Sequence, residues 1–193
     1  MKKPFLHTVS LMMAAMLLLG TLLLSGCSNN FSAAESGSTS ESSLTSGTDV
    51  VFVDPSQVRP DYGKLGFESN GFTFGIYDTM DDIIAGIGDP NGTFEAASCA
   101  YQGNDYFYYY SGFELMANDF DGVQRLTHIT VIDDTVSTPQ GITIGMAAID
   151  FTASSISFTD EGNGKFTHQE GSCIMQVIIK NDKVSAIEYY PAK

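Results

Sequence analysis

Positive charge is scarce in this chain of 193 residues, where nine lysine and arginine side chains stand against 23 aspartates and glutamates. Residues 1–26 hold two of the lysines and no acid, so the other 167 residues carry a net charge of −16. Binding to nucleic acid or to anionic headgroups depends on Lys and Arg that neutralise phosphates. The composition therefore excludes nucleic acid as a partner, and it suits cationic partners, divalent ions or simple solubility.

Long apolar runs and catalytic motifs are also lacking. Residues 11–24 form the one long apolar stretch, and a membrane-spanning helix takes about 20 such residues. No Gly-x-Ser-x-Gly elbow, phosphate-binding glycine loop or Cys-x-x-Cys pair is present. We therefore expect a soluble body without enzymatic activity and without a cofactor.

Histidines and acid pairs show no ligand pattern. His128 and His168 lack a spacing such as His-Glu-x-x-His, so we interpret both as strand residues. A calcium site needs about six to eight oxygens from one suitably spaced loop, and no such loop is present. Asp81 and Asp82 suit the first turn of a helix, and Asp121 suits a hairpin turn. We expect no bound metal.

The N-terminus has the layout of a secretory signal. Two lysines precede the apolar residues 11–24, and residues 24–27 are Leu-Ser-Gly-Cys. This resembles the lipobox of bacterial lipoproteins. The resemblance implies cleavage before Cys27, a diacylglyceryl group on its sulfur, and a lipid anchor on the extracytoplasmic face of the cell membrane. The alternatives are an ordinary signal peptide and an uncleaved anchor with a chance cysteine.

The resemblance and the composition together predict three segments. Residues 1–26 form the lipoprotein signal peptide, residues 27–49 a flexible tether, and residues 50–193 the globular domain. Half of residues 28–49 are Ser or Thr, and such a segment buries too little apolar surface to offset the entropy of ordering it. The tether holds the domain away from the membrane.

The globular part contains an imperfect duplication. Residues 71–75 are Gly-Phe-Thr-Phe-Gly and residues 141–145 are Gly-Ile-Thr-Ile-Gly, each followed by a short helical pattern and strands. We predict an α+β fold of two tandem helix-plus-antiparallel-meander repeats, about 71–133 and 137–190. The two repeats form one curved sheet with helices on one face.

Local signals define the elements of the first copy. Residues 80–87 place four apolar side chains on one helical face, after a cap at Asp78 or Thr79 and before a stop at Gly88. We predict a hairpin whose first strand spans residues 99–102.

Two further turns are predicted. Residues 121–122 are Asp-Gly, a pair that favours positive φ and so a hairpin turn. Residues 181–182 are Asn-Asp and make the last turn of the second copy.

This arrangement resembles the β-lactamase inhibitor protein and the small envelope lipoproteins of the SmpA/OmlA type. Residues 78–90, a helix followed by Gly-Asp-Pro, are similar to the helix-then-Gly-x-Pro element of those repeats. Residues 141–146 resemble the opening of the second repeat in uncharacterised Gram-positive lipoproteins. The resemblance implies the tandem fold and supplies no partner-binding residue.

Two cysteines remain once Cys27 carries lipid. Export favours a disulfide between Cys99 and Cys173, which would link the two repeats. The alternative is that both are small buried hydrophobic residues.

Aromatic side chains crowd one hairpin, and we single out Tyr106, Tyr108 and Tyr110 as a partner-binding set on the open face of the sheet. The alternative is that aromatics simply favour strands.

These observations favour a lipid-anchored binding module for an envelope protein or peptide. The alternatives are an extracytoplasmic hydrolase that uses His128 or His168, and a structural envelope-assembly factor.

Overall fold

The structure, a computed structural model, describes residues 57–193. The predictions for the signal, the tether and Cys27 lie outside these residues. Within them a 3-10 helix (Gly63–Leu65), two α-helices and ten strands form. The helices are α1 (Met80–Ile87) and α2 (Ala148–Phe151), and the strands are β1 (Phe67–Ser69), β2 (Phe72–Phe74), β3 (Gly92–Ala97), β4 (Asn104–Tyr109), β5 (Phe113–Phe120), β6 (Val123–Val131), β7 (Thr159–Gly162), β8 (Lys165–Glu170), β9 (Cys173–Lys180) and β10 (Lys183–Pro191).

Eight of the strands form one antiparallel sheet in the order β3-β4-β5-β6-β10-β9-β8-β7. Two runs of four consecutive strands thus meet where β6 pairs with β10, with Val131 opposite Ile187 and Ile129 opposite Tyr189. β1 and β2 pair in a separate two-stranded sheet. The edges of the large sheet are therefore β3 and β7.

The predicted fold class, an α+β fold of two helix-plus-meander repeats, is wrong. Strand accounts for 48% of the described residues and helix for 12%, so this part of the chain is mostly β. The eight residues of α1 span about 12 Å and the four of α2 about 6 Å at ~1.5 Å per residue. Eight strands spaced by ~4.8 Å span about 34 Å. Two such short helices cannot form a layer of their own on a sheet this wide.

The two helices differ in how their ends are specified. The Thr79 hydroxyl accepts a hydrogen bond from the backbone N–H of Asp82, and α1 ends at Gly88, whose φ of 96° suits glycine. This helix confirms the prediction for residues 80–87. α2 has Ala147 at its N-cap position, which offers no side-chain cap, and Thr-Ala-Ser-Ser at 152–155 lacks strong helix formers apart from its alanine. The second helical segment therefore stops after one turn.

One face of the large sheet carries the hydrophobic core. α1 and the β1–β2 hairpin contribute buried side chains to it, and the Phe67 ring lies 5.2 Å from the Phe113 ring and 5.8 Å from the Tyr189 ring, centroid to centroid. Side chains alternate between the two faces of a strand, so these core residues fix which face each neighbour occupies. Fully buried members on the sheet strands are Leu115, Ala117, Leu126, Ile129, Cys173, Met175, Val177, Ile187 and Tyr189.

Two predicted turns are confirmed, whereas one predicted strand is wrong. Asp121 and Gly122 have φ of 56° and 81° between β5 and β6, and residues 181–182 join β9 to β10, as predicted. The strand predicted at residues 99–102 is wrong, because β3 ends at Ala97 and residues 98–103 form a loop.

Candidate functional site

The face of the sheet opposite the core, called here the open face, carries a continuous row of apolar and aromatic side chains. Each member stands opposite the next on the neighbouring strand, or stacks on it, so the row crosses six strands and about 24 Å at ~4.8 Å per strand. Phe94 at its end is 57% exposed. This cross-sheet row consists of Phe94, Phe107, Met116, His128, Tyr190 and Ile174.

A polar row runs beside the cross-sheet row on the same face. Within it Gln176 donates a hydrogen bond to Glu188 at 3.0 Å, and the Tyr190 hydroxyl donates to Gln176 at 3.3 Å. Neither Glu114 nor Glu188 forms a salt bridge within residues 57–193. The polar row consists of Tyr109, Glu114, Thr130, Glu188, Gln176 and Thr167.

Charge is distributed unevenly over the open face. By register, Lys165 stands opposite Ile178, and Lys183 stands opposite Lys180, so three lysines gather at the corner where β8, β9 and β10 meet. The middle of the face carries acids instead. A bound chain that crosses the middle strands therefore meets negative charge beside an apolar row.

A small pocket opens near the middle of the cross-sheet row, and we call it the aromatic pocket. It measures about 210 Å³ and is lined by Tyr77, Ala100, Tyr101, His128, Tyr190 and residues 191–193. The loop of residues 98–103 forms one wall and the chain after β10 forms the other.

Packing holds the rings of the aromatic pocket in place. Tyr101 and Tyr77 each meet the Phe120 ring edge to face, with centroids 5.6 and 5.9 Å apart. His128 stacks on Tyr190 at 6.3 Å. Burial raises the pKa of Tyr101 to about 12, so its hydroxyl stays protonated at neutral pH.

His128 is a neutral imidazole at neutral pH. Burial lowers its pKa, and the nearby Asp105 carboxylate opposes that effect. Its Nδ1 atom is buried and has no hydrogen-bond partner in the part of the chain that the structure describes. An imidazole held in this way contributes a ring surface to the pocket rather than a charge.

The three tyrosines predicted for the open face lie on the opposite, core-bearing face. Tyr108 stands opposite the core residue Leu115, and Tyr106 opposite Ala117. The Tyr110 hydroxyl donates to the carbonyl of Gly88 at 3.0 Å, beyond the end of α1. The expected face was therefore wrong, and a partner-binding role of these tyrosines stays a prediction.

These tyrosines do border a depression of their own. Tyr106 and Tyr108 line a hollow of about 490 Å³ beside the β3–β4 hairpin, together with Glu95 and Gln124. The Tyr108 hydroxyl donates a hydrogen bond to the Gln124 side chain. The hydroxyls of Tyr108 and Tyr110 are thus engaged within the fold.

The two cysteines occupy different environments. Cys99 is exposed in the loop of residues 98–103, and Cys173 is fully buried at the start of β9. No disulfide joins them within the described residues, and a disulfide between them stays a prediction. Burial raises the pKa of the Cys173 thiol to about 12, which leaves it protonated and unreactive at neutral pH.

His168 lies on the core-bearing face, away from His128. Its Nδ1 lies 2.6 Å from the carbonyl oxygen of Ser157, and its Nε2 lies 3.3 Å from the Glu170 carboxylate. The lining of the aromatic pocket around His128 contains no Ser, Thr, Cys or acidic side chain among the described residues. The pocket thus assembles no nucleophile–base pair there.

Acidic side chains form hydrogen bonds with residues close to them in the sequence. Asp82 accepts a hydrogen bond from the Thr79 hydroxyl at 2.6 Å at the start of α1, and Asp133 accepts one from the backbone N–H of Thr135 at 2.9 Å. Among residues 57–193, no group of three or more His, Cys, Asp or Glu side chains is placed to hold a metal ion.

A larger hollow, about 580 Å³, lies beside α1 and is lined by Tyr62, Phe72 and Asp78, among others. Burial raises the pKa of Asp78, whose carboxylate accepts a hydrogen bond from the backbone N–H of Gly75 at 2.8 Å. A Cβ added at Gly75 would fall 2.4 Å from the Tyr62 ring. Asp78 and Gly75 thus build the turn before α1.

Comparison of the chain with protein-family models, with curated proteins and with solved structures finds no match. Within residues 57–193, no helix has the length and apolar character needed to span a bilayer.

No direct signal for the cross-sheet row is visible in the sequence. Phe107 and Tyr109 alternate with Tyr106 and Tyr108, so a pattern of two aromatic faces was visible along β4. Which set faces the core depends on pairing with Leu115, and that pairing comes from tertiary structure. His128 likewise gains its place only through Tyr190, which is 62 residues further along the chain.

Proposed function

We propose that the chain is a lipid-anchored extracytoplasmic lipoprotein whose open face binds an envelope protein or peptide, without enzymatic activity. The observation that carries this proposal is the cross-sheet row on a face opposite the core. The lipid anchor is supported by the Leu-Ser-Gly-Cys motif at residues 24–27 and by the apolar stretch that precedes it.

The apolar surface supports binding because it is continuous. Single exposed apolar residues are normal on a protein surface, whereas contiguous apolar patches rimmed by polar groups mark interaction sites. The cross-sheet row joins six strands, and Tyr109 on the same face is 36% exposed. Met, Tyr and Phe are also the residue types enriched at interfaces.

Charge indicates the chemistry of the partner. Glu114 and Glu188 border the cross-sheet row without a salt bridge in the described residues, and residues 27–193 carry a net charge of −16. A partner segment with Lys or Arg beside apolar side chains complements this surface and is steered towards it. We therefore commit to a basic, apolar segment as the occupant.

The hydrolase alternative has less support. It requires a histidine beside a nucleophile and a carboxylate, and the pocket at His128 has neither in its described lining. A structural envelope-assembly role would use the same open face, and it differs only in the identity of the partner.

A peptide-display selection on the full chain tests the proposal. We expect enriched peptides to combine Lys or Arg with apolar residues, and to bind the Phe94→Ser variant roughly tenfold more weakly. Phe94 is 57% exposed on the edge strand β3, so its replacement removes binding surface with little effect on the core.

Ile149→Ser is the matched control. Ile149 is an exposed apolar residue on α2, 76% exposed, outside the cross-sheet row. Equal weakening by both variants, or enrichment of acidic peptides, would overturn the proposal.

A further inference from the structure

The aromatic pocket has the size of a single ring. Its volume is about 210 Å³, whereas sites for drug-sized ligands measure roughly 300–1,000 Å³. In another protein, an apolar cavity of about 150 Å³ holds one benzene molecule. The pocket therefore has the size to take one aromatic side chain.

The lining selects a flat, uncharged occupant. Tyr77, Tyr101, His128 and Tyr190 contribute four rings. The first two are held by edge-to-face packing on Phe120, and His128 and Tyr190 are held by stacking on each other. Aromatic rings favour offset and edge-to-face contacts with one another. No acidic side chain lies in the described lining, so a Lys or Arg side chain would form no ion pair there and would be opposed by the Lys193 ammonium.

The aromatic pocket also lies at the centre of the sheet, where an anchoring side chain of a partner would bind. His128 and Tyr190 belong to the cross-sheet row and stand on β6 and β10, the two central strands where the two halves of the sheet join. Binding energy at interfaces concentrates in central pockets that take an aromatic side chain. Glu188, two residues before Tyr190, lies beside it in the polar row.

We propose that the aromatic pocket takes one uncharged aromatic side chain, tryptophan or tyrosine, from the basic segment docked on the open face. This inference rests on the proposed function and adds the anchor residue of the partner. A segment whose aromatic residue is flanked by lysines would seat the ring between Tyr101 and Tyr190 and bring its charges towards Glu188 and Glu114.

The absence of tryptophan from the chain supplies the readout. Two synthetic heptapeptides, Lys-Thr-Lys-Trp-Lys-Thr-Lys and the same peptide with alanine in place of tryptophan, are titrated against the full chain in detergent. Tryptophan fluorescence follows the first peptide, and calorimetry follows both. We expect the tryptophan peptide to bind at least about tenfold more tightly, with a blue shift of its emission on burial.

Two variants fill the pocket from opposite walls, and a third variant outside the pocket serves as control. Ala100→Phe and Ala192→Phe should each abolish the preference for tryptophan and the blue shift. Ala97→Phe should keep both, because Ala97 is an exposed alanine at the end of β3, outside the pocket lining. Circular dichroism confirms that each variant is folded.

The outcomes separate the two ideas. If both peptides bind the wild type equally, or if the preference survives in both filling variants, the proposed aromatic anchor is wrong. The proposed binding of a basic segment on the open face is then unaffected. If neither peptide binds the wild-type chain, and display also finds no basic peptide, both the anchor and the proposed function are wrong.

Discussion

A histidine acquires its chemistry from residues that are distant in the chain. His128 has no ligand motif around it in the sequence, and as a strand residue it would be unremarkable. In the sheet it stands opposite Met116, stacks on Tyr190 and lies under the loop of residues 98–103. Burial by these neighbours keeps its imidazole neutral.

The pH dependence of stability should show this neutral state. Burial lowers the pKa of folded His128 below its ordinary value of 6.5, so the unfolded chain binds the proton more readily. The contribution is fully present above pH 6.5 and is lost as the pH falls from 6.5 through the lower pKa of the folded state, with a slope of at most about 1.4 kcal/mol per pH unit for one proton. Asp105, Tyr77, Tyr101, Tyr190 and Lys193 are the titratable groups around the ring.

Urea unfolding of the wild type and of His128→Gln, between about pH 7.5 and 5.5, measures this effect. We expect the free energy of unfolding of the wild type to fall more steeply with acid than that of the variant. Parallel curves for the two proteins would contradict a buried neutral imidazole.

The placement of the tyrosines shows which feature of β4 could be predicted from the sequence and which could not. Alternation along β4 was predictable from the sequence and does separate Tyr106 and Tyr108 from Phe107 and Tyr109. The face of the sheet that each set occupies was not predictable, because both sets are aromatic and both suit a strand. Only the neighbouring Leu115, which is fully buried, decides which set packs against the core.

Elements with signals at both ends were predicted correctly. α1 has its cap at Thr79 and its stop at Gly88 in the sequence itself, and the hairpin turn at residues 121–122 needs only an Asp-Gly pair. The strand expected at residues 99–102 had a turn signal on one side only, and the chain forms a loop there instead. Local chemistry thus specifies helix ends and tight turns, while strand limits depend on the partner strand.

The cap of α1 makes a quantitative prediction at this scale. Thr79→Ala removes the hydroxyl that accepts from the backbone N–H of Asp82 at 3.3 Å and donates to its carboxylate at 2.6 Å. We expect the free energy of unfolding to fall by about 1 kcal/mol, as for other N-cap replacements. Urea unfolding followed by far-UV circular dichroism provides the measurement. Thr79→Ser keeps the hydroxyl and should recover most of the loss, and a Ser variant as unstable as the Ala variant would contradict the capping role.

The strand order and register of the large sheet cannot be read from any single segment of the sequence. Its strand order joins β6 to β10 across about 50 residues, and the cross-sheet row exists only because six strands align in register. The fold class was mispredicted for a related reason. Two similar segments at residues 71–75 and 141–145 suggest two tandem helix-plus-meander repeats, but the second helix lacks a side-chain cap and a helix-forming sequence and stops after one turn.

The proposed function also depends on where the whole molecule is held. Residues 27–193 carry a net charge of −16, which anionic headgroups repel, so the protein surface itself does not favour membrane contact. A lipid chain adds about 0.8 kcal/mol of membrane affinity per buried CH₂, and two chains hold a protein stably where one does not. The diacylglyceryl group proposed for Cys27 supplies those two chains.

Replacing Cys27 therefore tests the location of the protein. In Cys27→Ser the thiol that accepts the lipid is gone, so processing between Gly26 and residue 27 should stop and the full-length precursor should stay in the membrane through its apolar residues 11–24. For the wild type, intact mass spectrometry in detergent should give a chain that starts at Cys27 and is heavier than its peptide mass by at least a diacylglyceryl group. The Ser25→Thr variant serves as control, because it keeps the thiol and should be processed. An unmodified Cys27, or normal cleavage and release of the Cys27→Ser protein, would contradict the lipid anchor.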